Sequence, residues 1–140
     1  QYKDLYTRAA EIPDVDYLGS LTQIELAGSL RSKQILAYPN TFAETSCIAV
    51  MEAMAAGLKI ITSDLGALPE TTLGLGELLS QKELLSAEKG GFSSTVEEYC
   101  GIINTTNFTD LVYKQVQIMN EQNTWRVRAR QWVEMFNEQS

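Results

Sequence analysis

Histidine is absent from the 140 residues, which removes imidazole bases, Ser-His-Asp and Cys-His nucleophile systems and the usual zinc ligand sets. Catalysis here must rest on carboxylates, hydroxyls, backbone amides or groups that a substrate brings. The two cysteines, Cys47 and Cys100, are too few for a disulfide scaffold, and each lies in an apolar helical pattern that reads as a buried thiol. No run of about 18 apolar residues occurs, so no segment reads as a membrane span. The opening Gln1-Tyr2-Lys3-Asp4-Leu5 lacks the basic-then-apolar order of a signal peptide, and a cytoplasmic location is expected. Basic residues are outnumbered, 11 against 18 acidic, for a net charge of −7. Nucleic-acid phosphates and anionic lipid are therefore not expected as dominant partners. The one basic cluster, Arg126, Arg128 and Arg130, reads as a solvated helix face, with Arg130 four residues before Glu134.

What is present fits one soluble domain: 44% apolar residues in 140 suffice for a real core. With no initiator methionine and a helical pattern from the start, the chain is expected to be a piece of something longer, a single partial domain over residues 1–140. Apolar spacing predicts a first helix ended by Pro13, and residues 15–18, closed by Gly19, read as a strand. Thr22-Gln23-Ile24-Glu25 is a capping box opening a helix to about residue 32. Residues 34–38 read as a strand stopped by Pro39. A loop then leads to an apolar helix over about 46–56, with Thr45 as its N-cap and Gly57 at its stop. Residues 59–62 form another buried strand, 65–70 a turn into a short helix, and 76–79 a last strand. Ser94-Thr95-Val96-Glu97 is a second capping box, followed by helices over about 109–120 and 124–137. Strands alternating with helices predict an α/β fold, a Rossmann-like parallel sheet flanked by helices. Gly74-Leu75-Gly76 is no dinucleotide fingerprint, because position 79 is Leu.

One carboxylate stands out. Residues 45–58 carry a single charge, Glu52, in a segment otherwise fit for an interior, and a carboxylate taken out of water needs donors. Glu44 stands eight residues earlier, about 12 Å away along a straight helix, which is the scale of a nucleotide-sugar. A helix entered from the carboxyl end of a parallel strand turns unpaired amides toward the crevice where such sheets bind ligands. The amides of Ser46, Cys47 and Ile48 could hold a diphosphate there, while Glu52 accepts from a ribose diol and Glu44 from the sugar beyond. Chance spacing, with Glu52 paired to a basic side chain, is the alternative.

Tyr38-Pro39, Glu44-Thr45-Ser46-Cys47-Ile48, Glu52-Ala53-Met54-Ala55-Ala56-Gly57, Ile60-Ile61-Thr62-Ser63 and Gly66-Ala67-Leu68-Pro69-Glu70, in that order, closely resemble the donor-binding half of family 4 glycosyltransferases. The similarity is strong over residues 15–70. It implies the C-terminal part of a GT-B fold and a retaining transfer of a sugar from a nucleotide-diphosphate-sugar to an acceptor hydroxyl. Carried onto this chain, it implies Glu44 at the donor sugar as the catalytic candidate, Thr45, Ser46, Cys47 and Ile48 at the diphosphate, and Glu52 at the ribose. Gly19 and Leu21 are nominated at the base. It implies no metal and no cofactor beyond the donor itself, an acceptor-binding domain elsewhere in the parent chain, and little turnover by this part alone. Where many members carry Gly-Phe-Gly, this chain has Thr45-Ser46-Cys47, which constrains backbone approach to a phosphate. The arginine and lysine that meet the diphosphate in such enzymes are not matched here. A non-catalytic scaffold that binds partners through the aromatic, arginine-bearing last helix is the competing reading.

Overall fold

A computed structural model describes residues 2–86 and 91–138. Helix α1 (Lys3–Glu11) is followed by an irregular stretch, then α2 (Gln23–Leu30), β1 (Ile35–Tyr38), α3 (Ile48–Ala56), β2 (Lys59–Ser63), α4 (Leu68–Thr71) and β3 (Glu77–Leu79). Four more helices close the chain: α5 (Gln81–Leu84), α6 (Gly91–Ile102), α7 (Thr106–Gln122) and α8 (Trp125–Glu138). The strands form a parallel sheet in the order β1-β2-β3, with Ile35 opposite Lys59 and Ile61 opposite Glu77. Each crossover is helical, as parallel pairing requires.

β2 is central, and all five of its residues are buried. A strand covered on both faces has no use for alternation, and Lys59-Ile60-Ile61-Thr62-Ser63 accordingly shows none, with adjacent Ile60 and Ile61 both buried. Helix α3 lays Val50, Ala53 and Met54 against Leu58, Ile60, Leu68 and Met119 to form the core. Gly57 ends α3 in the left-handed conformation, φ 89°, as a glycine at that cap should. The buried Gln115 of α7 then fixes the same end: its Nε2 donates to Met54 O at 3.1 Å and Leu58 O at 2.8 Å. α7 is thereby tied along α3.

The Thr22–Glu25 capping box forms as expected, each side chain accepting from the other's backbone amide. Three expectations are corrected. Residues 15–18 are not a strand, because among the described residues no strand pairs with them; instead Tyr17 stacks on Tyr6 at 5.2 Å and every side chain there is exposed. Ser94 does not cap a helix, because α6 has already begun at Gly91. Cys47 is buried, but Cys100 is exposed. Helices α1 and α8 have no buried residue, and α8 leaves Trp132, Val133 and Phe136 more than half exposed.

Candidate functional site

The loop from β1 to α3 carries the first acid. Tyr38 is the last residue of β1, and its hydroxyl donates to Glu44 Oε1, which also accepts from Asn40 Nδ2 at 3.3 Å. Asn40 is itself buried, and its Oδ1 accepts from Phe42 N at 3.0 Å, tightening the turn. That hydrogen bond to Glu44, reinforced by burial, pushes the Tyr38 phenol up to about 12. From the other side, Ala67 N donates to Glu44 O at 2.8 Å. Gly66 presses closer still: a Cβ there would lie 2.5 Å from Glu44 O. Glu44 is thus gripped at its carboxylate by the strand end and at its backbone by the loop after β2.

Helix α3 begins two residues later than its apolar pattern suggests. Its N-cap is Cys47 rather than Thr45, and no side chain caps it. A thiol is a weak acceptor, so the first-turn amides are left without the oxygen partner that Ser, Thr, Asp or Asn would supply. Burial, with the Glu44 carboxylate adding to it, pushes the Cys47 thiol up, so at neutral pH it is a neutral group and no nucleophile. Thr45 and Ser46 are exposed beside it, and Ile48 is 64% exposed.

Glu52 lies one turn after Ile48 and is half-buried. Its Oε1 accepts from Gln23 Nε2 at 3.2 Å, a neutral donor from the first residue of α2, and among the described residues no cation is bonded to it. Two cavities meet at this carboxylate. One, of about 250 Å³, runs between α2 and α3 past Gln23, Leu26 and Arg31. The other, of about 460 Å³, lies between α3 and the α7–α8 junction, with Ser46, Ile48 and Glu52 on one wall and Asn123, Trp125 and Arg128 on the other. A third, of about 340 Å³, continues past Thr45 and Ser46 to Ala67, Glu70 and Arg128. A further cavity, of about 520 Å³, lies by β3, α5 and α6 and contains none of the nominated residues.

The sequence of the first 89 residues matches the family model of glycosyl transferases group 1. The chain belongs to that family. No curated protein and no solved structure gives a match. In this group 1 glycosyl transferase the family match spans every strand, both acids and helix α3, whereas α7 and α8 lie beyond it.

The structure brings Ser46, Ile48 and Glu52 to one cavity and Thr45 and Ser46 to its neighbour. It leaves Cys47 buried beneath them. Glu44, Gly19 and Leu21 line none of these cavities; Gly19, at φ 65°, has nothing within 4 Å of where a Cβ would stand. The sequence pattern places Arg128 on a solvated helix face, yet it lines both cavities at the α3 entrance. Its place depends on a turn between two helices, and only the arginine itself is visible in the sequence. Among the described residues no group of three or more His, Cys, Asp or Glu is arranged to hold a metal ion, and no helix is long and apolar enough to cross a membrane.

Proposed function

We propose that these 140 residues are the donor-binding, C-terminal part of a retaining family 4 glycosyltransferase of GT-B fold, which takes a nucleotide-diphosphate-sugar as donor and an acceptor hydroxyl held by another domain. Glu52 accepts hydrogen bonds from the ribose diol, the open amides at the start of α3 and the Ser46 hydroxyl face the diphosphate, and Glu44 orients the donor sugar. The charge of the diphosphate is met by amides and side chains, with no metal ion or cofactor assigned. One observation carries this reading: Ser46, Ile48 and Glu52 share the wall of a cavity of about 460 Å³ beside a helix start that no side chain caps. A pocket of that size suits a small ligand, and an uncapped helix start favours an anion.

Glu44 already has two donors. Its carboxylate is held by Tyr38 and Asn40, so hydroxyls of the sugar must share it with these donors, which a carboxylate with about four acceptor sites allows. Transfer then consists of departure of the nucleoside diphosphate as positive charge develops at the anomeric carbon. The acceptor hydroxyl attacks on the same face, and donors already in place stabilise the leaving phosphates.

Titration of the protein with UDP-, GDP- and ADP-sugars, before and after Glu52→Ala, tests the reading. Loss of two charge-assisted hydrogen bonds predicts a weakening of about tenfold or more for whichever donor binds. An unchanged affinity in Glu52→Ala would remove the ribose assignment. The scaffold reading is favoured by the exposed Trp132, Val133 and Phe136 of α8. It predicts no donor binding and no transfer to any acceptor by the full-length protein.

A further inference from the structure

A cavity meant for a diphosphate cannot hold a carboxylate and nothing else. Glu52 faces the same space as Ser46, and its charge repels phosphate unless a cation stands nearby. Among the described residues on that wall the basic one is Arg128, which also lines the neighbouring cavity with Thr45, Ser46 and Glu70.

The local structure explains how a residue near the end of the chain reaches the start of α3. Helix α7 stops at Gln122, and Asn123 and Thr124 make the turn into α8. Thr124 O then accepts from Arg128 N at 3.1 Å and Thr124 Oγ1 from Val127 N at 3.4 Å, so Arg128 lies one turn into the new helix. Asn123 is anchored by Nδ2 to the buried Met119 Sδ at 3.4 Å and accepts from Arg128 Nη2 through Oδ1. Gln131 Oε1 takes Nη1 at 3.0 Å. Both partners are neutral amide oxygens. They orient the guanidinium without cancelling its charge. Glu70 lines the smaller cavity but is not hydrogen-bonded to it.

We propose that Arg128, presented by α8 across the cavity from Ser46 and Ile48, is the cation that meets the diphosphate of the nucleotide-sugar, and that Asn123 is its positioning residue. The inference rests on the donor-binding reading above. A planar guanidinium with spare N–H groups matches paired phosphate oxygens, and its opposition to Glu52 gives the cavity a cationic and an anionic side, one for phosphate and one for a diol.

Trp125, 88% exposed on the cavity wall, supplies a readout independent of activity. In a Trp132→Phe background it is the sole tryptophan of the 140 residues, and its emission is followed while pyrophosphate, UDP, GDP and ADP are titrated. For the diphosphates that bind, Arg128→Gln is expected to weaken binding about tenfold or more and to flatten its salt dependence. Arg130→Gln, the same charge change two residues on, leaves binding unaltered. Arg128→Lys, which keeps the charge and loses the fork, gives an intermediate affinity and guards against a folding defect in the glutamine variant. Equal losses in Arg128→Gln and Arg130→Gln, or none in either, overturn the assignment while donor binding stands. Absence of binding by all three nucleosides' diphosphates to the parent protein overturns the donor-binding reading and this inference with it.

Discussion

Replacing Gln115 by Met tests what holds α3, and with it the candidate site, against the rest of the molecule. The side chain is fully buried, and its Nε2 serves two carbonyls, Met54 O and Leu58 O, at the point where α3 gives way to β2. Met54 O keeps Gly57 N as a donor at 3.2 Å, so its loss is small. Leu58 O loses its side-chain donor inside the core, and a buried acceptor stripped of its partner costs about 1–3 kcal/mol. Against this, Gln115 Oε1 is buried with no partner, and methionine removes that liability. Two bonds lost against one orphan removed leaves a net destabilisation of about 1–2 kcal/mol for Gln115→Met. Gln115→Ala adds a cavity and should lose about 3 kcal/mol in all. Gln115→Glu, which sets a carboxylate against two carbonyls, should lose more than either. Urea denaturation of the three variants, monitored by far-ultraviolet circular dichroism, gives the ranking directly, with roughly 3–5 °C of Tm per kcal/mol as a cross-check in a chain of this size. A methionine variant as stable as the parent would refute the reasoning, because the amide would then contribute nothing that its own unpaired oxygen does not take away.

Gly66→Ala and Gly74→Ala separate crowding from backbone conformation. Both glycines have positive φ, 58° and 69°, but a Cβ at Gly66 meets Glu44 O at 2.5 Å whereas at Gly74 it meets nothing within 4 Å. Thermal unfolding should show about 1–2 kcal/mol lost at Gly74 and on the order of 3 kcal/mol or more at Gly66, and equal losses would contradict the close approach to Glu44. The Tyr38 phenol, pushed up to about 12 by Glu44 and burial, bears on alkaline stability. Because its folded value lies above the ordinary value of about 10, its contribution is complete below pH 10 and lost as pH rises through about 12. The tyrosinate absorbance step near pH 12 should vanish in Tyr38→Phe and move down in Glu44→Gln; an identical titration curve in both variants counts against the hydrogen bond.

Local signals with a single reading were legible in the sequence. The Thr22–Glu25 box, Gly57 as a left-handed stop and the buried run at β2 each follow from residues within one turn or one strand, and each forms. Ser80-Gln81-Lys82-Glu83 carries the same pattern as Thr22–Glu25 and makes a capping box at α5, a signal equally visible in the sequence. Ser94–Glu97 shows why the pattern alone is insufficient: a helix begun at Gly91 places Ser94 in its interior, where the same spacing has no cap to make. Residues 15–18 have strand composition but no partner strand, and pairing is a tertiary fact. The Tyr38 and Asn40 grip on Glu44 and the place of Arg128 arise from loops and a helix turn that bring distant residues together, which no periodicity encodes.

The two ends of β2 differ in how its own polar side chains are satisfied. At the amino end of β2, Lys59 is buried, and burial holds its ammonium below the usual range. Every neighbour there is arranged to accept it: Nζ donates to Leu75 O at 3.3 Å and stands 4.7 Å over the Tyr99 ring, whose hydroxyl donates to Glu77 Oε2. Burial first, and Glu77 second, raise the Tyr99 phenol, so Tyr99 stays a hydrogen-bond donor at neutral pH and the cluster clamps α6 to β2 and β3. At the carboxyl end of the same strand the pattern reverses. Thr62 Oγ1 and Ser63 Oγ are buried without partners, and α3 starts beside them without a side-chain cap. Each orphaned hydroxyl costs about 1–3 kcal/mol, so stability alone would have selected apolar residues of similar size, as at Ile60 and Ile61. The two orphaned hydroxyls of β2 lie at its carboxyl end, where ligands of parallel sheets bind, and so support the donor site proposed there. They do so without reference to the spacing of Glu44 and Glu52, and they indicate the same end.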